Sequence, residues 1–340
     1  MPLLGIIASG ISGNLQKVSV AFAHYDTSFV TVYPWAAGFG TKYSNPATPP
    51  AGNGFGVSFS PSGNAIAVAH ATTPYVTAYP WSSSTGFGTK YSDPGTTPTN
   101  VGRGVAFTPS GNDIAVAHST TPFVTAYPWS SGFGTKYANP GTLPGGNGKS
   151  VDFTTSGDAV AVGHNTTPFV SVYPWSSGFG SKYANPATAV ADTGYGVNFI
   201  SNTIGIAHYG GTGAGKGLSA YAWSSGWGSK YANPATGINN NAYGVSFSPS
   251  GDTFAIAHFD TPYIAAYPWS AGFGTKYANP ATLPVSTARG VAFSPSGDTI
   301  GMTGGGSPYL ALYPWSSGFG TKYANPATLF TNDGGGIAFG

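Results

Sequence analysis

The segment GVAFTPSGNDIAVAHSTTPFVTAYPWSSGFGTKYANP, residues 104–140, contains the structural unit from which this 340-residue chain is built. Apolar and polar residues alternate at 104–107, 114–118, 123–129 and 133–137, and short turns rich in Gly, Ser, Asn and Pro separate these runs. Four short runs of period two with tight turns between them predict four antiparallel strands. No window of the sequence shows helical periodicity.

This unit recurs seven times along the chain. Its Tyr-Pro-Trp triplet, with one Tyr-Ala-Trp variant, returns every 46 or 48 residues and begins at Tyr33, Tyr79, Tyr127, Tyr173, Tyr221, Tyr267 and Tyr313. A repeat of this length is typical of propeller blades, and one meander buries both of its faces only by stacking on neighbouring copies. The sequence therefore predicts an all-β fold, a seven-bladed β-propeller with four-stranded antiparallel blades.

The two ends of the repeat array complement each other. Blade 1 begins at its second strand, within residues 18–24, and lacks an innermost strand of its own. The last residues, Gly-Ile-Ala-Phe-Gly at 336–340, match the missing strand. We therefore predict that the C-terminal strand completes blade 1 and closes the ring, which removes two open sheet edges. Residues 15–340 then form the propeller, and residues 1–14 form an N-terminal tail or attachment segment.

The repeat resembles a known family. The run from Val105 to Gly111, the second run that ends in Ala-His, and the strand that ends in Trp129 are similar to the WD40 repeat. This resemblance covers all seven units and implies a propeller. The chain departs from the WD40 pattern because no Gly-His precedes the first strand and no Asp follows the Trp. Partners of eukaryotic WD40 proteins are therefore not implied.

The N-terminal segment carries a second, shorter resemblance. Residues 4–13, LGIIASGISG, are similar to a short N-terminal motif of tailed-phage structural proteins. That resemblance implies a virion or extracellular surface location, with other virion proteins as partners through residues 1–14. No charged region precedes the first apolar residues, so we expect no signal peptide.

Composition narrows the classes of function. Charged residues make up 6% of the chain and the net charge is +2, which predicts no nucleic-acid partner. No run of 18 apolar residues occurs, so we expect no membrane insertion. The six His residues share one repeat position: His24, His70, His118, His164, His208 and His258. We interpret them as buried structural groups, because ligands on separate blades would lie too far apart to share one ion. No metal site and no cofactor are predicted.

The residue just before the innermost strand differs from blade to blade, whereas its neighbours hardly change. This variable position holds Phe55, Arg103, Lys149, Tyr195, Tyr243, Arg289 and Gly335. In a propeller it faces the mouth of the central channel, and aromatic and Arg side chains are frequent at binding hot spots. We predict that the first six bind a ligand, although neutral drift in exposed loops would also produce such variation.

The sequence offers no pairing of Asp with His or Ser that would suggest catalysis, so the chain is expected not to be an enzyme. The favoured function is a binding propeller, a phage virion or surface adhesin that recognises a glycan or protein receptor through the divergent face. The alternative is a structural virion decoration or spacer protein.

Overall fold

The computed structural model describes residues 18–210, 217–238 and 240–340. Within these ranges, seven separate antiparallel sheets follow one another along the chain, and no residue is helical. The innermost strand of each sheet contacts the innermost strands of both neighbouring sheets, which closes the seven sheets into a ring. The predicted seven-bladed propeller is confirmed. The predicted tail, residues 1–14, lies outside the described residues.

Each blade has an inner, a second and a third strand. The inner strands are Gly334–Phe339, Gly54–Phe59, Gly102–Phe107, Gly148–Phe153, Gly194–Ile200, Ala242–Phe247 and Ala288–Phe293, for blades 1 to 7. The second strands are Ser19–His24, Ala65–His70, Asp113–His118, Ala159–His164, Thr203–His208, Thr253–His258 and Thr299–Gly304. The third strands are Val30–Pro34, Val76–Ser82, Val124–Pro128, Val170–Pro174, Leu218–Trp223, Ile264–Pro268 and Leu310–Pro314.

The fourth strand of the blade is weaker than its sequence predicts. Among the described residues it forms as a strand only at Gly86–Phe87 and Trp227–Lys230. In the other five blades it is reduced to one isolated bridge between the Trp that follows the third strand and the Phe four residues later. The turn between the two partners contains only three residues, and the Pro before the Trp in these five blades has no N–H to donate. Five sheets therefore have three strands.

Ring closure occurs as predicted. The C-terminal strand Gly334–Phe339 pairs antiparallel with Ser19–His24, which in turn pairs with Val30–Pro34. The pairing continues beyond the strand, because Ser19 N donates to Gly340 O at 2.6 Å and Gly340 N donates to Ser19 O at 3.0 Å. The two ends of the described chain thus share blade 1. The C-terminal strand is the inner strand of this blade, and it contacts the inner strands of blades 2 and 7.

The core consists of seven similar clusters, and each lies between two adjacent blades. The second strands contribute small and β-branched residues that are buried along their whole length, because blades cover both faces of the strand. The Trp that follows each third strand packs edge-to-face against a Tyr of the preceding blade, with ring centroids 5.0–5.4 Å apart in all seven pairs. This geometry is the preferred one for aromatic pairs.

The six His side chains have a structural role within their blades. Five of them place Nε2 within 2.9–3.1 Å of a Thr or Ser hydroxyl on the third strand. The sixth, His258, faces Ala265 on that strand, and both of its ring nitrogens lack a partner. Burial lowers the pKa of five of these rings to about 4 and also lowers that of His208. The predicted structural interpretation is confirmed for the five hydrogen-bonded rings.

These pKa values predict that the propeller loses stability in mild acid. A His that must stay neutral in the folded state contributes stability fully above its unfolded pKa of 6.5, and that contribution is lost as the pH falls towards 4. Asp152 opposes the loss, because burial raises its pKa to about 6 and its protonation favours the folded state. We expect the unfolding midpoint at pH 4.5 to lie about 5 °C or more below that at pH 7.

Differential scanning calorimetry at the two pH values measures this difference, and His118→Gln, which cannot titrate, should reduce it. Equal midpoints at both pH values would contradict the assignment of the His side chains as buried neutral groups.

The closing strand offers a second prediction. Ile337 is 9% exposed and packs in the cluster between blades 7 and 1. We expect Ile337→Asp to lower the free energy of unfolding by about 3 kcal/mol or more, because it buries a charge without a partner. Val285→Asp is the matched control, since Val285 is 61% exposed, and it should change little. Chemical denaturation measures both, and equal effects would show that the closing strand is not part of the core.

Candidate functional site

A β-bulge lies at the start of every inner strand, and it carries the variable residue. In blade 3, Gly102 pairs with His118 and Gly104 pairs with Ala117, so Arg103 lies between two paired residues without a partner of its own. The same shift of register occurs in all seven blades. A bulge releases one residue from the pairing and changes the direction of its side chain. The fold therefore places one non-paired side chain per blade at the same end of the channel.

Glycines next to the bulge make this arrangement possible. A Cβ atom on Gly148 would lie 2.3 Å from Phe123 O, and one on Gly104 would lie 2.9 Å from the Cα of Ser150 in the next blade. The first position favours a small residue because the backbone crosses close to the preceding blade, and it holds Ala242 and Ala288 in blades 6 and 7. The second also favours a small residue, because neighbouring inner strands approach each other, and it holds Ser150 in blade 4.

The bulge residues converge on one cavity of about 350 Å³ at the mouth of the channel. All six predicted ligand-binding residues line it, namely Phe55, Arg103, Lys149, Tyr195, Tyr243 and Arg289. Gly335, the bulge residue of blade 1, also lines the cavity and leaves space there. The structure thus brings together the complete set of side chains that the sequence singled out.

Blades 3 and 4 supply the positive side of this cavity. The Arg103 guanidinium lies over the Phe55 ring, 4.3 Å from its centroid, and the Lys149 ammonium lies 5.8 Å from the centroid of Tyr195. Such contacts hold a cation without neutralising it. Burial and the nearby Arg103 lower the pKa of Lys149. Lys149 is therefore the residue of the cavity whose amine is most readily deprotonated.

Blade 7 supplies a third cation, which is paired. Arg289 Nη1 donates to Asp333 Oδ2 at 2.8 Å, and its guanidinium lies 5.4 Å from the centroid of the Tyr25 ring. Asp333 lies in the segment that leads into the closing strand. The positive charge of Arg289 is therefore balanced locally, in contrast to that of Arg103.

Blades 5 and 6 supply an aromatic side. Tyr195 and Tyr243 meet edge-to-face with centroids 5.1 Å apart, and Tyr209 lies next to Tyr195 at 6.4 Å. Burial raises the pKa of Tyr195, so its hydroxyl stays protonated at neutral pH. Rings with a polar hydroxyl can stack on the apolar face of a small ligand and also donate a hydrogen bond.

Other reactive groups are absent from the residues that line the cavity. None of them is His or Asp. The Ser150 hydroxyl is buried and has no hydrogen-bond partner, but it points towards Gly163 inside the blade, where a Cβ would meet its Oγ at 2.7 Å. Elsewhere in the described residues, no group of three or more His, Asp or other metal-binding side chains could hold a metal ion. The cavity thus offers an amine, two guanidinium groups and tyrosines.

One cavity residue escaped the sequence-based prediction. Tyr25 lines the cavity and contacts Phe55 edge-to-face at 5.3 Å. Its repeat position, directly after the His, varies as strongly as the bulge position and holds Ala71, Ser119, Asn165, Tyr209, Phe259 and Gly305 in the other blades. That variability was the available signal. Asp333 was missed because it lies in a loop with no equivalent charge in other blades.

Comparison with known proteins supports the fold. A scan against protein-family models finds no match, and a search of curated proteins finds none either. Among solved structures, a candidate 6-phosphogluconolactonase from Bacteroides uniformis is 12% identical, with a TM-score of 0.68 over 95% of this chain and 99% of the other. A periplasmic gluconolactonase from Pseudomonas aeruginosa is 12% identical, with a TM-score of 0.64 over 95% and 99%. A candidate 6-phosphogluconolactonase from Bacteroides fragilis is 13% identical, with a TM-score of 0.63 over 97% and 99%.

These findings correct two predictions. The chain was expected to be a non-enzymatic phage or surface adhesin, or a virion decoration or spacer protein, and it was expected not to be an enzyme. The similar propellers instead carry the names of lactonases, and none of these three is named as an adhesin or a phage protein. At 12–13% identity the likeness shows the fold alone, so catalysis by this chain is a proposal. No helix among the described residues is long and apolar enough to cross a membrane.

The inward orientation of Ser150 leads to a prediction. Gly163→Ala should destabilise the chain by about 1–3 kcal/mol, because the new methyl group would lie 2.7 Å from Ser150 Oγ and 2.8 Å from Gly194 O. Ser150→Gly combined with Gly163→Ala restores the Gly and Ala pair found in other blades and should recover the part of the loss that is due to Ser150. A double-mutant cycle by urea denaturation measures this coupling. Simple additivity of the two substitutions would contradict the contact.

Proposed function

We propose that the chain is a lactone hydrolase and that the cavity at the channel mouth is its active site. The observation that carries this proposal is the position of Lys149, whose amine lies in a half-enclosed cavity beside Arg103, with no carboxylate among the residues that line it. Lys149 is half-buried, and burial together with the nearby Arg103 lowers its pKa, which favours the neutral amine that a general base needs. The lactonase names of similar propellers support the same reaction class.

The reaction can be written with the residues of the cavity. The neutral amine of Lys149 accepts a proton from a water molecule, and the water oxygen forms a bond with the lactone carbonyl carbon. The Arg103 guanidinium stabilises the oxyanion of the tetrahedral intermediate. The ring C–O bond then breaks, and the leaving oxygen takes the proton back from Lys149. The product is an open-chain hydroxy acid, which releases its carboxyl proton to the solvent and leaves as a carboxylate.

The aromatic residues fit the non-reacting part of such a substrate. Tyr195 and Tyr243 line the cavity next to Lys149 and meet each other edge-to-face. A sugar-derived lactone has an apolar face and several hydroxyls, so it can stack and hydrogen-bond there. The resemblance to WD40 repeats concerns the pattern of the blade only, and no partner is inferred from it.

The proposal predicts the effect of removing the amine. The rate of δ-gluconolactone hydrolysis, corrected for the spontaneous rate, should fall about 100-fold or more in Lys149→Met. Proton release in a weak buffer measures this rate. Lys182→Met is the matched control, because Lys182 lies at the outer edge of the same blade and bonds to Asn185. Loss of activity in both variants, or in neither, would refute the role of Lys149.

The pH profile tests the protonation state. The rate should rise with pH as Lys149 loses its proton, with a midpoint below that of an ordinary lysine, because burial and Arg103 lower its pKa. Lys149→Arg retains the charge but cannot act as a base near neutral pH, so it should be as inactive as Lys149→Met. Full activity in Lys149→Arg would show that the residue only binds an anion.

A further inference from the structure

Arg103 and Arg289 occupy the same repeat position but differ in their surroundings. Each is the unpaired residue of a β-bulge, and each guanidinium lies over an aromatic ring. Only Arg289 has a carboxylate partner, Asp333. All ten carboxylate side chains of the protein are Asp, and all of them lie within the described residues. The only ion pairs among the described residues are Arg289 with Asp333 and Lys90 with Asp93.

The Asp333 carboxylate is held by the closure of the ring. Tyr25 N donates to Asp333 O at 3.0 Å, and Asp333 N donates to Asn332 Oδ1 at 2.8 Å. Two residues earlier, Thr331 N and Oγ1 both donate to Asp26 Oδ2, at 3.0 and 2.6 Å. The segment before the closing strand is thus fastened to blade 1 on both sides of Asp333, and its side chain faces Arg289.

From this asymmetry we propose that Asp333 is a specificity-determining residue: by neutralising Arg289, it leaves a single anion-binding subsite in the cavity, formed by Arg103 and Lys149. This inference rests on the proposed function and assigns its substrate class. The subsite receives the oxyanion and then the carboxylate formed from the lactone carbonyl. A second negative group on the ligand would face the tyrosines and an Arg289 that is already paired with Asp333. The substrate is therefore a sugar-derived lactone without a phosphate or carboxylate substituent.

Physical arguments support one subsite rather than two. A guanidinium that donates to a carboxylate at 2.8 Å has most of its field cancelled at longer range, and its donors are partly occupied. Arg103 donates only to the Ser119 hydroxyl, at 3.4 Å, so its remaining N–H groups are available to a ligand. The local charge is thus positive at blades 3 and 4 and balanced at blades 7 and 1.

Binding of the two hydrolysis products tests this inference without any turnover. Isothermal titration calorimetry would compare gluconate, which has one negative group, with 6-phosphogluconate, which has an additional phosphate. We expect 6-phosphogluconate to bind the unmodified protein no more tightly than gluconate. In Asp333→Asn, the affinity for 6-phosphogluconate should rise about tenfold, because Arg289 becomes available, and the double variant Asp333→Asn with Arg289→Gln should lose that gain.

Arg103→Gln and Arg289→Gln form a matched pair, since they make the same change at the same repeat position. Arg103→Gln should weaken gluconate binding about tenfold. Arg289→Gln should weaken gluconate binding by about twofold or less. The backbone contacts of Asp333 persist in Asp333→Asn, and its unfolding temperature serves as the folding control. If Asp333→Asn does not fold, the gluconate affinities of Arg103→Gln and Arg289→Gln still test whether Arg103 alone of the two arginines belongs to the anion-binding subsite.

Two results would overturn the inference. One is tighter binding of 6-phosphogluconate than of gluconate by the unmodified protein. The other is an equal loss of gluconate affinity in Arg103→Gln and Arg289→Gln. A further outcome is a protein that binds 6-phosphogluconate no more tightly than gluconate, with the larger loss in Arg103→Gln, but that hydrolyses no lactone. That result would refute the proposed hydrolase activity and support the single anion-binding subsite. Hydrolysis of both lactones at equal efficiency would confirm the enzyme and refute the role of Asp333.

Discussion

The propeller depends on one contact that is repeated seven times, the packing of a Trp of each blade against a Tyr of the blade before it. Every such Trp is between 4% and 7% exposed. Five of the third-strand Tyr hydroxyls add a hydrogen bond to a Thr carbonyl in the loop from the preceding blade. Because each contact joins two blades, no blade is complete by itself, and the ring must close for all of them to form.

This repetition separates the positions that hold the ring from those free to vary. The inner strand has small residues, mostly Gly, where backbones approach closely, and the second strand has small apolar residues and, in six blades, a buried His. The bulge residue is subject to neither constraint, because it is released from the strand pairing and its side chain lines the cavity at the channel mouth. A rigid ring therefore carries up to seven independent side chains at one site, which is the arrangement that a pre-organised binding site requires.

Local features of the sequence misled the functional interpretation. Most Asp residues lie in turns and loops, Asp113 and Asp152 lie in strands, and the His residues share one buried position, so the sequence showed no acid–base pair and favoured a purely binding protein. Lys149 did not stand out as a base, since the lowering of its pKa depends on burial and on Arg103, which is 46 residues away in the chain. Likewise, Asp333 and Arg289 belong to different blades, and their pairing exists only because the C-terminal strand returns to blade 1.

Repeat spacing and alternation were sufficient to predict the number of blades, the strand order and the closing strand, because each of these follows from local period and turn chemistry. The bulge residues were identifiable as a divergent set, and the fold brought all six predicted ones to one cavity. The fourth strand was overestimated, since its pairing is limited by a turn and a proline and not by its apolar pattern. The neutralisation of one arginine, the exposure of another and the participation of Tyr25 were decided by the tertiary structure alone. They depend on distances between blades, and the alternation of residues within a strand contains no information about such distances.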